Sequence, residues 1–532
     1  MSTAQAAATT GQRFDPPIST VVGTVVAGFK GENEPAVEAE LHSPCGIAVD
    51  SAGTLYICDV NNARVRKVTT DGKISTLAGP GSGVDGDGGP ATAAGFNGPQ
   101  GVAVDSSGVV YIADSFNHRI RMVTADGKIS TFAGMSTADL EGGGFDGDGG
   151  LATLAQLRRP MGVAVDSSGV VYIADTRNHR VRKVTTDGKI STVAGMDCAG
   201  FGGGFDGDGS LATSALLSNP YAVAVDGAGN LYIADSGNHR VRKVTADGYI
   251  STFAGSGPKG FAGGFGGDGG LATSARLNFP TGVAVDSTGV LYIADQRNHR
   301  VRMVTADGNI STFAGSDPAG FTGVLDGDGG PATSALLASP YGLAVDFTDA
   351  LYIAEQGNHR VRKVESAKMA GLPESGTVVS WANVRSRLRM GVGGESTMDG
   401  APVHQLFTPP RTVPRNHLRW RLVVVGLDSG DVLYRIENVN SGLVLEVVGA
   451  QKTAGAAVAQ RAYEGDDARH QQWRLIPVGS GNGTPRVYEI ANRGSGLLLQ
   501  VDNRNPGTVI TQHGSQGSQQ GRLGQQWQLL PV

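Results

Sequence analysis

The sequence predicts an all-β protein in which a six-bladed β-propeller is followed by a β-trefoil. The first observation is one pattern, PxGVAVDxxGxxYIADxxNHRxRxVTxDGxISTxAG, that occurs six times, mostly about 60 residues apart. The second is a threefold pattern of units of about 45 residues near the end of the chain. The third is the glycine content, because 81 glycines in 532 residues suit many short strands joined by tight turns. The six copies begin at Pro44, Pro99, Pro160, Pro220, Pro280 and Pro340.

Each copy of the first pattern predicts four short strands. Typical segments are GVAVD, LYIAD, RVRKV and ISTFAG, with turn signals such as DSSG and TADG between them. The first two segments are apolar or small at almost every position, which indicates strands covered on both faces. Stacked propeller blades need four-stranded sheets of this kind. The propeller is therefore assigned to residues 18–366.

The two ends of this region predict a closed ring. The sixth copy stops at RVRKVES, residues 360–366, without its fourth strand. The segment VGTVVAG at residues 22–28 is expected to supply that strand and so to hide both sheet edges. We expect a flexible tail at residues 1–17, a linker at residues 367–376 and the trefoil at residues 377–532.

Composition narrows the class of protein. The formal net charge of −5 gives no general attraction to nucleic acid or to an anionic membrane. The three cysteines do not make a disulfide framework. No segment has the apolar length of a signal peptide or of a membrane span. We therefore expect a soluble protein, cytoplasmic or exported by a non-classical route, and the sequence leaves the compartment unknown.

The turn after each second strand carries an acid and a histidine four residues apart, as in Asp235 and His239. A catalytic or metal site needs differentiated ligands that converge on one point, and copies on separate blades do not provide them. We expect a structural turn in which the carboxylate accepts the imidazole N–H and the asparagine takes left-handed geometry. The arginines that follow, such as Arg240 and Arg242, are expected to be solvated or to pair between blades. RNA binding by this basic strand is the weaker alternative.

Long loops connect each fourth strand to the next blade. Each predicts a glycine turn followed by a short helix. Because all of them leave the same face, they are expected to form a raised acidic rim around the channel mouth, where a protein or peptide partner would bind. Asp326-Gly327-Asp328 resembles the start of a calcium loop, but the later ligands are absent, so a turn is favoured over calcium. The loops cover residues 85–96, 146–157, 206–217, 266–277 and 316–340.

The Asn-His-x motif at the start of the third strand resembles the signature of NHL-repeat propellers. Here the third letter is Arg rather than Leu, and the resemblance covers residues 18 to about 366. Membership of such a fold names no function by itself. Some propellers of this type are lyases or hydrolases built on a central metal, and others bind RNA through a basic face.

The last region carries a second motif, Gln-x-Trp. It occurs as Gln471-Gln472-Trp473 and Gln525-Gln526-Trp527. Three units predict a trefoil whose core holds Trp420, Trp473 and Trp527. Residues 377–532 thus resemble a ricin B-type lectin domain. The resemblance implies that an aspartate after the Leu-x-Leu strand accepts sugar hydroxyl groups, while an aromatic ring on the next strand stacks on the sugar.

No unit has the complete set of residues that this resemblance implies. The aspartate position holds Gly391, Glu446 and Gln500. The aromatic position holds Leu406, Arg461 and His513. The position before the glutamine holds His417, His470 and Gly524. A purely structural trefoil and a working glycan site are both left open. The best remaining carbohydrate site is Glu446, Tyr463, His470 and Gln471, followed by Gln500, His513 and Gln525.

These observations favour a non-enzymatic recognition or adhesion protein that binds a protein or peptide through the propeller and a glycan or glycoprotein through the trefoil. No catalytic residue, metal ligand or cofactor is assigned. The alternatives are a metal-dependent lyase or hydrolase, as the resemblance allows, and an RNA-binding propeller. An enzyme would need unique ionisable residues on the innermost strands, whose segments read GVAVD, AVAVD and GLAVD. Nucleic acid is not expected as a partner.

Overall fold

The computed structural model describes most of the chain as two compact units, Met1–Ser366 and Ala367–Val532. Among the described residues, no helix combines the length and apolar character that crossing a membrane requires. The linker predicted at residues 367–376 lies outside the described residues. These are 15–79, 86–135, 144–196, 204–257, 263–316, 327–366, 377–386, 388–406, 416–428, 431–465, 468–478, 487–501, 505–506, 508–515 and 525–531.

The first unit is a ring of six antiparallel sheets, which confirms the predicted propeller. Within each blade the four strands run from the axis outwards. Blade one has Pro44–Val49, Leu55–Asp59, Arg64–Val68 and Lys73–Ala78; blade two Pro99–Val104, Val110–Asp114, Arg119–Val123 and Ile129–Ala133; blade three Gly162–Val165, Val171–Asp175, Arg180–Val184 and Ile190–Ala194. Blade four has Pro220–Val225, Leu231–Asp235, Arg240–Val244 and Ile250–Ala254; blade five Pro280–Val285, Leu291–Asp295, Arg300–Val304 and Ile310–Ala314; blade six Pro340–Val345, Leu351–Glu355, Arg360–Val364 and Ile18–Val22.

The N-terminus closes the ring, but with a different segment from the one that the sequence analysis assigned. The closing strand is Ile18–Val22, so of the predicted residues 22–28 only Val22 belongs to it. Ile18 pairs with Val364 in blade six as Ile310 pairs with Val304 in blade five. The segment ISTVV therefore matches ISTFA of the other blades, and the apolar VGTVVAG obscured this shorter match. The end of the predicted flexible tail, residues 1–17, is also bonded to the propeller, because Ala332 N–H donates to Pro16 O over 2.9 Å.

Apolar side chains fill the space between every pair of neighbouring blades. Six separate buried clusters occur, one at each blade interface, including the interface between blades six and one. Between blades three and four, Val181 packs with Ile233 and Leu231. The second strands are therefore covered on both faces, as their continuous apolar sequence predicts.

The innermost strands approach one another so closely that five of them need glycine. A Cβ atom on Gly162 would lie 2.5 Å from Tyr221 O, and one on Gly342 would lie 2.1 Å from Cys45 O. Blade four has Ala222 at the matching position. The equivalent glycines are Gly46, Gly101, Gly162, Gly282 and Gly342.

The described Asp-Gly turns of the interblade loops lie on the outer edge of each blade, so the predicted rim around the channel mouth is wrong for these turns. Gly209 N–H donates to Ile250 O over 2.8 Å, and Ile250 N–H donates to Ser210 O over 2.9 Å. A short 3₁₀ helix then leads towards the axis. Each loop thus covers the exposed edge of the fourth strand. These helices are Ala36–Glu38, Ala91–Ala93, Ala152–Leu154, Ala212–Ser214, Ala272–Ser274 and Ala332–Ser334.

A fully buried arginine on the third strand anchors each loop. In blade four, Arg242 Nη2 lies 2.7 Å from Asp208 Oδ1 of the loop, and its Nη1 lies 3.7 Å from Asp235 Oδ2 of the second strand. Burial raises the pKa of Asp235 to about 6, although hydrogen bonds from Asn238 and the Ser218 N–H and the charge of Arg242 favour ionisation. These arginines were expected to be solvated or to pair between blades, and both expectations are wrong for Arg242, which is buried and pairs within its own blade. The equivalent arginines are Arg66, Arg121, Arg182, Arg242, Arg302 and Arg362.

The same pairing uses the carboxylate that suggested calcium. Asp328 is paired with Arg362 and accepts the Thr20 N–H over 3.1 Å. Asp326 lies outside the described residues, so the predicted preference for a turn over calcium stays untested there.

The repeated histidine joins neighbouring blades and does not bind the aspartate. His239 Nδ1 accepts the Phe279 N–H of blade five over 2.9 Å. His239 itself has the left-handed geometry that was expected of the asparagine, with φ of 55°. The Asp235 carboxylate instead accepts from Asn238 Nδ2 over 2.7 Å. The turn is structural, but its partners differ from the predicted ones because the imidazole points to the next blade.

The second unit is a β-trefoil of twelve strands. Six of them close a barrel, and three hairpins cover one end of it. Lobe one has Val378–Asn383, Arg389–Val392, Val403–Leu406 and Trp420–Asp428; lobe two Asp431–Asn438, Val444–Val447, Val458–Arg461 and Trp473–Pro477; lobe three Val487–Asn492, Leu498–Gln500, Thr511–His513 and Gln526–Pro531. Short 3₁₀ helices include Asn416–Leu418 and Arg469–Gln471. The three predicted core tryptophans donate from Nε1 to Met390 O, Leu445 O and Leu499 O, and Trp381 is a fourth fully buried tryptophan.

The buried arginine of blade four should contribute strongly to stability. We predict that Arg242→Leu lowers the free energy of unfolding at neutral pH by about 3–5 kcal/mol, because Asp235 stays buried without its guanidinium. The matched control Lys243→Leu, on the partly exposed face of the same strand, should cost less than about 1 kcal/mol. All four tryptophans lie in the second unit, so urea denaturation is followed by circular dichroism, and equal losses would contradict the anchoring role of Arg242.

The stability that Arg242→Leu loses should also depend on pH. The pKa of Asp235 in the fold is above its ordinary value of 3.8, so its contribution is complete below that value and is lost as pH rises through about 6. Removing Arg242 raises this pKa further. The difference between Arg242→Leu and the original protein should therefore grow between pH 4.5 and 7.5, and a difference that shrinks would be inconsistent with this pairing.

Candidate functional sites

The six blades share nearly the same strands and turns, but the side chains at one mouth of the axial channel differ among the blades. Residues at the start of the first strands line the axial channel, and they differ from blade to blade. The turns after the second strands lie beside them, since Arg297 of one turn contacts Phe279, whose ring packs on Tyr221. The residue that begins the first strand after proline is Cys45, Gln100, Met161, Tyr221, Thr281 or Tyr341. The middle residue of the turn is Asn61, Phe116, Arg177, Gly237, Arg297 or Gly357.

Aromatic rings occupy one side of this mouth. The ring centroids of Tyr221 and Phe279 lie 5.1 Å apart in an edge-to-face arrangement, and those of Tyr221 and Tyr341 lie 6.2 Å apart. Arg297 Cζ lies 4.4 Å from the Phe279 centroid. Burial raises the pKa of Tyr221, and the nearby Arg177 and Arg297 oppose that shift. The three rings and the Arg297 guanidinium therefore form one cluster, and the charge of Arg177 lies near it.

Arginines make the same mouth cationic. Arg158, Arg177 and Arg297 are exposed, and Arg159 lies over Phe116 with Cζ 5.2 Å from the ring centroid. Every acid at the end of a second strand is fully buried and bonded within its blade, so none of these carboxylates neutralises the surface. These acids are Asp59, Asp114, Asp175, Asp235, Asp295 and Glu355.

Besides burial, the positive charges at the mouth lower the pKa of a neighbouring histidine, His179. Burial lowers the pKa of His179, and the charges of Arg177 and Arg158 lower it further. The sequence analysis missed this site because it aligned the blades on their shared letters. The signal lies in the letters that vary, at the residue after proline and in the turn before Asn-His.

The best predicted carbohydrate residues are partly brought together in lobe two. Glu446 is only 4% exposed, and its Oε2 accepts from Gln471 Nε2 over 3.0 Å. Gln471 Nε2 also donates to Ala462 O over 2.9 Å, and its Oε1 accepts the Glu464 N–H over 2.9 Å. His470 Nε2 lies 3.6 Å from Glu446 Oε2 and 3.5 Å from Glu464 Oε2. Glu446, His470 and Gln471 thus share one site, which also includes Glu464, a residue missing from the prediction.

The other side chains of lobe two border this site. Tyr463 is half-buried, and Arg435 Cζ lies 4.8 Å from its ring centroid. Arg461 Nε lies 3.6 Å from Glu446 Oε1, and Arg461 Nη1 lies 3.2 Å from Asp399 Oδ2 of lobe one. An arginine therefore holds one carboxylate oxygen at the position where the resemblance implied a stacking ring.

Lobe three repeats the glutamine hydrogen bonds of lobe two, but with neutral side chains. Gln525 Nε2 donates to Gln500 Oε1 over 3.0 Å and to Gly514 O over 2.8 Å. His513 Nε2 lies 3.1 Å from Thr511 Oγ1. Gln500 and His513 lie on two paired strands, and Gln525, just before a third strand, bonds to Gln500 and to the residue after His513. The amide of Gln500 replaces the carboxylate of Glu446.

Lobe one has no room for this arrangement. A Cβ atom on Gly391, which matches Glu446, would lie 2.4 Å from Leu418 Cδ2 and 3.1 Å from Leu406 Cδ1. Leucine side chains thus fill the place that the carboxylate and the glutamine occupy in lobe two.

Comparison with known proteins supports both units. The model of the NHL repeat matches residues 41–68, and that of the Teneurin NHL domain matches residues 80–141, 144–200, 176–245 and 259–322. The model described as Ricin-type beta-trefoil lectin domain-like matches residues 416–513. The chain therefore consists of an NHL-repeat β-propeller followed by a ricin B-type trefoil domain, which confirms the resemblance drawn from the sequence.

Curated relatives match about two thirds of the chain. Teneurin-m of Drosophila melanogaster is 29% identical over 368 residues, covering 64% of this chain and 12% of that protein. NHL repeat-containing protein 2 of Bos taurus is 27% identical over 366 residues, covering 64% of this chain and 48% of that protein. The chain thus spans less than half of the length of either relative. Among solved structures, a designed 3-fold symmetric protein, ThreeFoil, is 31% identical at a TM-score of 0.24, covering 29% of this chain and 99% of that one.

Proposed function

We propose that this chain is a non-enzymatic recognition protein that binds an acidic segment of a partner protein at the channel mouth and a glycan at lobe two. The observation that carries the proposal is the cationic and aromatic mouth on a frame that is otherwise repeated. The relatives that match the propeller, teneurins and an NHL repeat-containing protein, support a module that works by interaction.

The chemistry of the mouth supports an acidic peptide as its ligand. Arginine presents a planar fork of N–H donors that can bind a carboxylate in a bidentate manner. Tyr221 and Phe279 offer rigid aromatic area beside Arg297, and aromatic and arginine side chains provide most of the binding energy in many interfaces. Cations around a shallow mouth also attract an acidic partner over a distance and speed its association.

Lobe two supports the glycan part of the proposal. Glu446 presents a carboxylate that Gln471 and Arg461 hold in place, which suits hydrogen bonds from sugar hydroxyl groups. Tyr463 provides the nearest aromatic surface, although its ring already contacts Arg435. A site with few stacking groups binds weakly by itself. Joining it to the peptide-binding propeller in one chain would raise the overall affinity for a glycosylated partner.

Residues exchanged between blades provide the test of the mouth. The triple variant Arg158→Ser, Arg159→Asn and Arg177→Gly copies residues that blade four carries as Ser218, Asn219 and Gly237. We predict that the original chain binds a fluorescent hexaglutamate peptide, more weakly at higher salt, and that this variant binds it at least tenfold more weakly. Fluorescence anisotropy measures the affinity.

The control removes the same charge from the opposite face. Lys73, Lys128 and Lys189 lie beside the turns between third and fourth strands, where blade five has Asn309. Changing all three to asparagine should alter the affinity less than twofold. If both triple variants lose affinity equally, the mouth is not the binding site and general charge explains the attraction.

The glycan site of lobe two has a separate test. We predict that the fluorescently labelled full chain, in buffer with EDTA, binds glycans immobilised on an array. The substitution Glu446→Gln should lower the fluorescence signal at least tenfold, because the acceptor of the sugar hydroxyl group loses its charge. The control Glu395→Gln changes the acid beside His417 in lobe one, where Leu418 fills the slot. Signals that both variants leave unchanged would reject lobe two as the glycan site.

A further inference from the structure

Three side chains of lobe two, one of them the proposed glycan ligand Glu446, form a compact cluster. Glu446 belongs to the strand Val444–Val447, Glu464 follows the strand Val458–Arg461, and His470 belongs to the 3₁₀ helix Arg469–Gln471. Within the described part of the chain, this is the one place where three metal-ligating side chains bring their ligand atoms within 4.8 Å of one another. Three separate segments thus converge on one point.

The distances suit a small divalent cation. A tetrahedral zinc ion with ligands at 2.0–2.1 Å places those ligand atoms about 3.3–3.4 Å apart. Here His470 Nε2 lies 3.6 Å from Glu446 Oε2 and 3.5 Å from Glu464 Oε2. The ligand atoms of the two carboxylates lie within 4.8 Å of each other. Side-chain movements of about an ångström or less would therefore complete the geometry.

The surroundings hold the inner ligand in position. Glu446 Oε2 accepts from Gln471 Nε2, whose other hydrogen bond to Ala462 O fixes the amide. Arg461 lies against the other oxygen, Oε1, and Asp399 offsets part of its charge. Partners of this kind orient a ligand and raise metal affinity. Glu446 is nearly buried, whereas the side chains of His470 and Glu464 are 20% and 61% exposed, so an ion can enter from solvent.

The other lobes lack this combination. Lobe three has Gln500 in place of Glu446, and its sequence has Gly524 in place of His470. Lobe one has Gly391, with leucines in the slot. The three ligands therefore occur together in one lobe of a threefold frame, where maintaining the fold does not demand them.

We propose that Glu446, Glu464 and His470 bind one divalent transition-metal ion of the zinc class, with water as the fourth ligand. An imidazole nitrogen together with carboxylate oxygens favours such an ion over calcium or magnesium, which prefer oxygen ligands alone. The sequence analysis assigned no metal ligand, since Glu464 had no recognisable motif. This site does not depend on glycan binding.

The test is titration of the EDTA-treated and dialysed full chain with Zn²⁺, without sugar, by isothermal titration calorimetry. We expect one ion per chain at this site and, with Co²⁺, visible absorption bands of tetrahedral coordination. The double variant Glu446→Gln and His470→Gly copies the lobe-three residues Gln500 and Gly524. It should lower the Zn²⁺ affinity at least 100-fold and abolish the Co²⁺ bands.

Histidines of the other lobes provide the matched controls. His417→Ala and His513→Ala should each change the Zn²⁺ affinity less than twofold, and all variants should retain the circular dichroism spectrum of the original chain. Unchanged Zn²⁺ affinity in the double variant, or no one-to-one binding by the original chain, would overturn the proposal. Because no sugar is present, neither result bears on whether lobe two binds a glycan.

Discussion

The propeller depends on one buried arginine in each blade. Arg242 lies between Asp235 of the neighbouring strand and Asp208 of the preceding loop, so a single guanidinium fixes both the blade and the segment that covers its edge. The fully buried guanidinium would be costly without these partners, which makes the loop a necessary part of the blade. His239 then reaches Phe279 of the next blade, and the ring is built from repeated contacts between adjacent units.

The residues that hold the blades together leave other positions free to vary and to bind a partner. The acids, asparagines and histidines of the turns are committed to the frame, whereas the residues between them face the channel mouth and differ among blades. Arg177 and Gly237 occupy the same position in blades three and four, which shows that the frame tolerates either. The trefoil follows the same rule, because its tryptophans repeat while Gly391, Glu446 and Gln500 diverge.

Much of the fold could be predicted from the sequence, because repeated apolar strands and turns report burial directly. The closing strand was misplaced by a few residues, since ISTVV is followed at once by another apolar segment. The predicted bond from His239 to Asp235 was wrong, because sequence spacing cannot show that a side chain points to another blade. Lobe two was partly predicted through Glu446, His470 and Gln471, but Glu464 was missed because it lies in a loop with no motif. The mouth was missed because it has no shared letters.

The central claim is that the interblade loops are part of the blades and do not form a free binding rim. Hydrogen–deuterium exchange of the unmodified chain tests it most directly at Gly209 and Gly269, whose N–H groups donate to Ile250 O and Ile310 O. We expect both amides to exchange at least about 100-fold more slowly than an unprotected peptide, at rates close to those of the fourth strands. Exchange at the unprotected rate in both loops, beside protected fourth strands, would contradict the account.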